Sequence, residues 1–284
     1  MRLLVLPLIA LHLLLVPAAP CDAPDELLAQ AQALWQKGEK ARAVEVITQA
    51  IAADPKDLRG YLLRGRMHEA LRQHEAAVAD FDKCLELDSK FAEAYNHRGS
   101  EQFIRGKIAE SLADFDRFLA LRPQERPGHW KRGITLYYAG KFDEGRKQFE
   151  GYEKVDTNDV ENAVWHFLCV ARAEGVEKAR KSILKIGKDA RVPMMKVYDL
   201  YRGVAKPEEV LTAARDAKLT PEQLNRAHFY AHLYLGLYYE VTGDKKRALE
   251  HLNEAVQKHR IDHYMWDVAR VGREVLAGAA EKSR

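Results

Sequence analysis

The segment YNHRGSEQFIRGKIAESLADFDRFLALRP, residues 95–123, decides the fold because the same frame recurs before and after it. One glycine and one phenylalanine recur every 34 residues, at Gly65, Gly99 and Gly133 and at Phe81, Phe115 and Phe149. A fixed period of this length is typical of repeat architectures, in which each unit is one supersecondary element. The sequence therefore predicts a stack of similar units.

Two helices can be placed in each unit from its small residues and its turns. Small residues lie midway along the first helix because close helix crossings exclude large side chains. Glycine then recurs in the turn between the helices, where a positive φ costs it least; these glycines are Gly38, Gly106, Gly140 and Gly243. Pro55 and Pro123 close their units because proline cannot continue a helix. Each unit is predicted to be a helical hairpin.

This frame of a large residue, a small one, a turn glycine and a closing proline resembles the tetratricopeptide repeat (TPR). The resemblance implies an all-α fold, a right-handed superhelical solenoid of TPR helical hairpins. Four regular units are expected within 24–159, at 24–57, 58–91, 92–125 and 126–159. A further unit is expected at 229–262.

The repeat is degraded between these units. Phe167 stands where a small residue is expected, although Ala179 keeps the mark of the second helix. We therefore predict two degenerate hairpins over 160–228, with a helix starting at the capping sequence Thr220-Pro221-Glu222-Gln223. The regular and degenerate units together give about seven hairpins. Residues 263–284 are predicted to form a C-terminal capping helix and tail.

Two longer stretches, 131–180 and 228–266, are similar to the NlpI-type bacterial envelope lipoproteins. The doubled tyrosines, Tyr137-Tyr138 and Tyr238-Tyr239, and the segment around Trp165 carry most of this similarity. The resemblance implies a homodimeric adaptor that brings a PDZ-containing protease to peptidoglycan hydrolases.

Residues 1–20 have the layout of a signal peptide, with Arg2, an apolar run over 3–16 and then small residues. The run is shorter than the roughly 20 residues of a spanning helix. We expect cleavage after Ala18 and export to the periplasm or cell envelope; an uncleaved anchor is the alternative.

Cys21 is a candidate for lipidation, which would attach the chain to a membrane. A lipobox normally has a small residue before this cysteine, whereas Pro20 stands there, so an ordinary residue near the mature terminus is the other reading. Cys84 and Cys169 are expected to be buried in the core and unpaired, because they lie two and a half repeats apart.

Charge and motifs exclude several function classes. The chain has 45 basic and 42 acidic residues, so no basic surplus points to nucleic acid. No metalloprotease, nucleophile-elbow or phosphate-loop motif is present, so we expect no catalytic residue and no cofactor. Paired aspartates flank two of the recurring phenylalanines and are expected on a solvated helix face; they are Asp80, Asp82, Asp114 and Asp116.

Histidine is the one residue type in this sequence whose spacing suggests a metal. His228 and His232, and likewise His259 and His263, are four residues apart. Because two histidines do not complete a zinc site, no metal is predicted. An enzyme with a site in the degenerate region remains the least favoured alternative, since 176–226 contains no histidine or cysteine.

The predicted partner-binding site is the concave wall formed by the first helices. Its aromatic residues would bind a protein or an extended peptide, and its polar residues would fix the register. The residues are Asn96, His97, Phe103, Trp130, Lys131 and Tyr137. The alternative is that the rings pack in the core. His97 replaces the asparagine of the carboxylate clamp of chaperone-binding repeats, so a membrane-anchored co-chaperone is an alternative function only.

Overall fold

The computed structural model describes residues 24–152 and 155–281, and these residues form fifteen α-helices and no strand. The all-α prediction is confirmed. The predicted signal peptide and Cys21 lie outside the described residues. No described helix is both long enough and apolar enough to cross a membrane. The chain divides into two compact units, one up to Arg64 and one from Gly65 onwards, which are described in turn.

The first unit is one helical hairpin and the start of the next helix. Its helices are α1 (Pro24–Gln36), α2 (Lys40–Ala53) and the beginning of α3 (Leu58–Ala70). Apolar residues recur every three or four positions on both helices of the hairpin and are buried against each other: Leu27, Ala31, Leu34, Ala43, Ile47, Ala50 and Ile51. The turn residue Gly38 has the predicted positive φ, +82°.

The second unit begins with the remaining regular hairpins. Their helices are the rest of α3, α4 (His74–Leu87), α5 (Ala92–Ile104), α6 (Ile108–Leu121), α7 (Trp130–Tyr138) and α8 (Phe142–Tyr152). A short 3-10 turn at Pro123–Glu125 precedes α7.

The recurring glycine and phenylalanine are the two sides of one contact. A Cβ atom added to Gly65, Gly99 or Gly133 would lie 2.7, 2.9 or 2.5 Å from the ring of Phe81, Phe115 or Phe149, respectively. Real Cβ atoms do not approach this closely, so only glycine lets the phenylalanine of the second helix reach the backbone of the first. The small position is therefore required by packing.

The turn position of the hairpin 58–87 departs from the glycine pattern. Gly106 and Gly140 have φ values of +74° and +72°, but Arg72 occupies the equivalent position with φ +58°. A left-handed backbone is unfavourable for a residue with a side chain. Arg72 is retained in this conformation by a contact described below.

The aspartates beside the recurring phenylalanines do not all lie on a solvated face, and that prediction is wrong for two of them. Asp80 and Asp114 are buried. Arg98 of α5 pairs with Asp114 and with Asp82 of the preceding hairpin, each at 2.6 Å. A buried carboxylate such as that of Asp114 requires a partner of this kind. Arg98 of α5 thereby links Asp82 of α4 to Asp114 of α6.

The degenerate region keeps four helices but loses the regular hairpin. They are α9 (Val160–Glu174), α10 (Val176–Ser182), α11 (Met194–Tyr201) and α12 (Pro207–Arg215). Residues 183–193 are not helical. Phe167, at the position of the repeat glycine, is fully buried, and its ring centroid lies 5.0 Å from that of Tyr201.

The last three helices are α13 (Pro221–Val241), α14 (Lys245–Lys258) and α15 (Tyr264–Glu281). The capping sequence was correctly predicted, since the Thr220 hydroxyl accepts a hydrogen bond from Gln223 N and the Gln223 side chain accepts one from Thr220 N. The predicted boundary between 228 and 229, however, falls inside α13, because nothing interrupts this helix before Val241. Cys84 and Cys169 are buried, and neither forms a disulfide among the described residues, as predicted.

Candidate functional site

The six predicted binding residues all lie on two neighbouring first helices. Three are on α5 and three are on α7, as predicted: Asn96, His97, Phe103, Trp130, Lys131 and Tyr137. We call this set the inner wall. Phe103 and Tyr137 are buried, with 0% and 4% of their surface exposed, and the other four are half-buried. The structure therefore covers part of the surface that the sequence assigns to a partner.

The C-terminal helix α15 is what covers the inner wall. The Tyr264 ring lies with its centroid 5.6 Å from that of Phe103 and 5.5 Å from that of Trp130. Lys131 Nζ lies 4.7 Å from the centroid of the same tyrosine ring. The chain thus fills this position with its own helix.

An ion pair with a residue far away in the sequence holds helix α15 in place. The Arg72 guanidinium donates two hydrogen bonds to the Asp267 carboxylate, at 2.6 and 3.0 Å, and Asp267 is 1% exposed. The guanidinium carbons of Arg72 and Arg260 each lie 5.0 Å from the centroid of the Trp266 ring. A bidentate pair of this kind fixes orientation as well as position.

The polar residues of the inner wall have partners within the chain. Asn96 Oδ1 lies 3.0 Å from His129 Nε2, and Lys131 Nζ donates to Ser100 Oγ at 3.0 Å. His97 Nδ1 lies 2.9 Å from a Glu69 carboxylate oxygen. These groups therefore already fix the register of the neighbouring helices.

Tyr137 belongs to the core. Its hydroxyl donates to Glu240 Oε1 at 3.2 Å, and its ring centroid lies 5.5 Å from that of Trp165. Burial raises the pKa of this phenol well above its ordinary value. The rings of Tyr137 and Phe103 pack in the core, which is the alternative that the sequence left open to partner binding.

Beside the covered part of the inner wall is a pocket of about 210 Å³. Aromatic rings from four helices, α7, α8, α9 and α13, line it, and Trp130 is the inner-wall residue among them. We call it the acidic pocket and define it by Trp130, Tyr152, Asp159, Glu161, Asn162, Trp165, Arg191 and Tyr230.

Three carboxylates share one guanidinium at this pocket. Arg191 pairs with Glu161 at 2.5 Å, with Asp159 at 2.7 Å and, away from the lining, with Asp189 at 2.5 Å. The Tyr234 hydroxyl donates to the second oxygen of Glu161 at 2.5 Å. Burial nevertheless raises the pKa of both Asp159 and Glu161, although Arg191 opposes the shift. Among the described residues, three carboxylates thus pair with one guanidinium at this place.

Two polar atoms of the pocket residues have no partner among the described residues. They are Trp165 Nε1, a donor, and Asn162 Oδ1, an acceptor, and both are buried. The Asn162 amide nitrogen donates to Phe149 O at 3.1 Å, which fixes the amide orientation. Leaving a buried polar group unpaired costs about 1–3 kcal/mol. A bound group with a donor would recover the part of this cost that falls on Asn162 Oδ1.

Residues 28–90 match the family model described as tetratricopeptide repeat. The fold is that of a tetratricopeptide-repeat protein. One solved TPR structure, from Parabacteroides merdae, is 13% identical with a TM-score of 0.58, over 87% of this chain and 98% of that one. MamA is 17% identical with a TM-score of 0.53, over 69% of this chain and 96% of MamA. At these identities the likeness concerns the fold alone.

The curated relatives match only through short TPR segments. Hsp70-Hsp90 organizing protein 2 of Arabidopsis thaliana is 38% identical over 61 residues, which are 22% of this chain and 11% of that protein. A peptide N-acetylglucosaminyltransferase of Giardia intestinalis is 42% identical over 50 residues, 18% of this chain and 3% of that protein. The chain covers only a small part of these TPR proteins.

Trp130 is the one residue of the predicted binding site that lines the pocket, and the repeat pattern did not predict the acidic residues beside it. Asp159 and Glu161 begin α9, and the Asp159 carboxylate caps this helix by accepting from Glu161 N at 3.0 Å. Their pairing with Arg191 depends on the non-helical segment 183–193, which no repeat position predicts. The sequence feature that could have drawn attention to this region is the loss of the repeat pattern at Phe167.

Proposed function

We propose that this TPR chain is a non-enzymatic scaffold that binds a segment of another protein or a peptide, and that the acidic pocket receives a basic side chain of that segment. The observation that carries the proposal is the charge at the pocket: Asp159 and Glu161 of the lining, with Asp189 beside it, pair with Arg191 and with no other basic side chain among the residues that the structure describes. An ammonium or guanidinium group would supply the missing positive charge.

The aromatic lining supports a cationic ligand for the same reason. The faces of tryptophan and tyrosine rings attract cations, and the attraction strengthens when water is excluded. Trp130, Trp165 and Tyr230 line the pocket next to the carboxylates. Lysine and arginine also carry apolar stems that would pack against these rings.

The size of the pocket favours a side chain over a small-molecule cofactor. Ligand and cofactor sites usually have volumes of about 300–1,000 Å³, whereas this one has about 210 Å³. In this proposal Trp130 contacts the partner, while Phe103 and Tyr137 support the wall from inside. Asn96, His97 and Lys131 position the helices that carry it.

Photo-crosslinking tests the proposal. We would place a benzophenone amino acid at Tyr152, a half-buried residue of the pocket lining, in the native host, and compare Glu161→Gln, which keeps the shape of the side chain and removes its charge. We expect a captured segment that contains lysine or arginine, and loss of capture in the Glu161→Gln chain. A benzophenone at Leu87, which is 40% exposed on α4, serves as the control.

The captured segment then provides a direct binding test. Replacing its basic residue by glutamine should abolish binding of the synthetic peptide, while circular dichroism shows that the Glu161→Gln protein remains folded. Capture that is equal in wild type and Glu161→Gln, or a peptide that binds equally well without its basic residue, would show that the pocket charge does not select the partner.

We also propose that the scaffold is exported, with residues 1–20 as the signal peptide. The layout of this segment supports export, and the resemblance to the NlpI-type lipoproteins supports a homodimeric envelope adaptor for a protease and peptidoglycan hydrolases. An intact mass that begins near Ala19 would support cleavage, and one that begins at a modified Cys21 would support lipidation. A mature chain that retains Met1 would favour the membrane-anchored co-chaperone instead.

A further inference from the structure

Four histidines converge where α13 and α14 meet. His228 and His232 lie one turn apart on α13, His251 is on α14, and His259 directly follows α14 as its C-cap. The His259 ring stacks on His228 and His232, with centroids 5.0 and 5.5 Å apart. His263, which the sequence pairs with His259, is not part of this group.

Three of these rings can offer nitrogens to one ion. A ring nitrogen of His228, of His232 and of His259 all lie within 4.8 Å of one another. Ligand nitrogens at 2.0–2.1 Å from a tetrahedral zinc ion are roughly 3.4 Å apart. A modest rotation of partly exposed side chains closes the difference, and their exposure gives an ion access from solvent.

Neighbouring groups fix which nitrogen of His259 is available. Asn225 Oδ1 lies 3.1 Å from His259 Nδ1, and the Asn225 amide nitrogen donates to Arg260 O at 2.9 Å. The amide oxygen therefore faces the imidazole and accepts its Nδ1 proton, which leaves the Nε2 lone pair free. An outer hydrogen bond of this kind accompanies almost every histidine that binds a metal.

His251 plays the equivalent part for His232. Their Nδ1 atoms lie 3.0 Å apart, so one donates and the other accepts, and Nε2 of His232 takes no part in this bond. The Tyr239 ring stacks on His251 with its centroid 5.4 Å away and holds it in place. Both outer partners thus direct an Nε2 atom away from the hydrogen bonds.

We propose that His228, His232 and His259 bind one divalent transition-metal ion, of which zinc is the representative, with water completing the coordination. Imidazole ligands suit zinc, copper and nickel more than magnesium or calcium. Such an ion would tie the start of α13 to the end of α14. The two-histidine motif in the sequence did not predict this site because its third ligand comes from the next helix.

The test is a titration of the full chain, without a histidine tag, with ZnCl₂ in a buffer that does not chelate the metal. Isothermal titration calorimetry should give one ion per chain, and a Co²⁺ titration should give the strong visible absorption of a four-coordinate site. Zinc should also raise the melting temperature. The proposal would be overturned if no zinc bound, or if the chain bound many zinc ions with no distinct site for one.

Variants distinguish this site from adventitious binding by other histidines. The triple change His228→Gln, His232→Gln and His259→Gln should abolish the calorimetric signal, the Co²⁺ spectrum and the thermal shift. His263→Asn is the matched control and should change none of them. Asn225→Ala should weaken zinc binding roughly 10–100-fold, as loss of an outer partner usually does. Undiminished binding by the triple variant would show that the metal binds elsewhere.

Discussion

In the hairpins over 58–152 the first helix carries glycine and the second carries the phenylalanine that packs on it, whereas the hairpin of α9 and α10 keeps neither residue. Phe167 stands at the glycine position and Ile183 at the phenylalanine position. A first helix with a large residue here cannot be crossed as closely, and α10 ends at Ser182, one residue before Ile183. The chain that follows is free to carry Arg191 to the acidic pocket.

The comparison indicates how a repeat array acquires a specific site. Among the hairpins that keep the glycine contact, charged groups pair between neighbouring units, as Arg98 does with Asp82 and Asp114. In the segment that loses the contact, three described carboxylates share Arg191. The pocket thus lies where the repeat pattern is lost.

The largest predicted effect breaks the regular packing. Gly133→Val should lower the free energy of unfolding by about 3 kcal/mol, because a Cβ atom at this position would lie 2.5 Å from Phe149. Gly99→Val should be nearly as severe. Gly278→Val, in α15 where a Cβ atom would meet nothing within 4 Å, is the control. Urea unfolding followed by circular dichroism measures the difference, and equal losses at Gly133 and Gly278 would refute the contact.

A second prediction concerns the helix that covers the inner wall. Asp267→Ala should cost about 2–3 kcal/mol of unfolding free energy, because it leaves the partly buried Arg72 guanidinium without its carboxylate. Glu274→Ala removes the surface pair with Arg270 on the same helix and should cost less than about 0.5 kcal/mol. If thermal melting shows the same small effect for both, the ion pair does not anchor α15.

The third prediction distinguishes the role of Trp130 from that of Tyr137 in the inner wall. Trp130→Ala should weaken partner binding by roughly thirtyfold, about 2 kcal/mol, and leave the fold intact, because this ring is half-buried at the pocket. Tyr137→Ala should instead reduce thermal stability, because its ring is in the core. Asp82→Ala, with 47% of its side chain exposed, should not affect binding. Fluorescence anisotropy with the captured peptide and melting curves distinguish these outcomes.

The smallest effect is a pH dependence in the regular hairpins. His129 caps α7, where its Nδ1 accepts from Arg132 N at 3.2 Å, and burial lowers its pKa to about 4. The unfolded state therefore binds more protons between pH 6.5 and about 4, and the stability present above pH 6.5 is lost as the pH falls through this interval. The loss from pH 7 to pH 5 should be about 1–2 kcal/mol.

His129→Asn keeps a side chain that can cap the helix but does not titrate. Urea unfolding of both proteins at pH 7 and pH 5 isolates the histidine contribution from that of the buried carboxylates. A stability difference between the two proteins that stays constant with pH would contradict the assignment.

The period of the sequence predicted most of the helices and the glycine positions, since both follow from local packing within one hairpin. It did not predict the pocket, because Arg191 lies in a segment with no counterpart in the repeat. It also did not predict that α15 covers Phe103, since no local pattern relates residues so far apart. For the aspartates, the sequence showed the spacing but not that Asp80 and Asp114 are buried.

The pair of Arg72 and Asp267 has a consequence for how the second unit unfolds. In an open repeat array each unit touches only its neighbours, so the ends fray independently of the middle. The hydrogen bond between Arg72 and Asp267 joins residues 195 positions apart. Unfolding of α15 therefore breaks a contact near the start of the unit. Amide hydrogen exchange in α15 should therefore follow global opening instead of terminal fraying, and folding should be slowed by the long loop that must close before this contact forms.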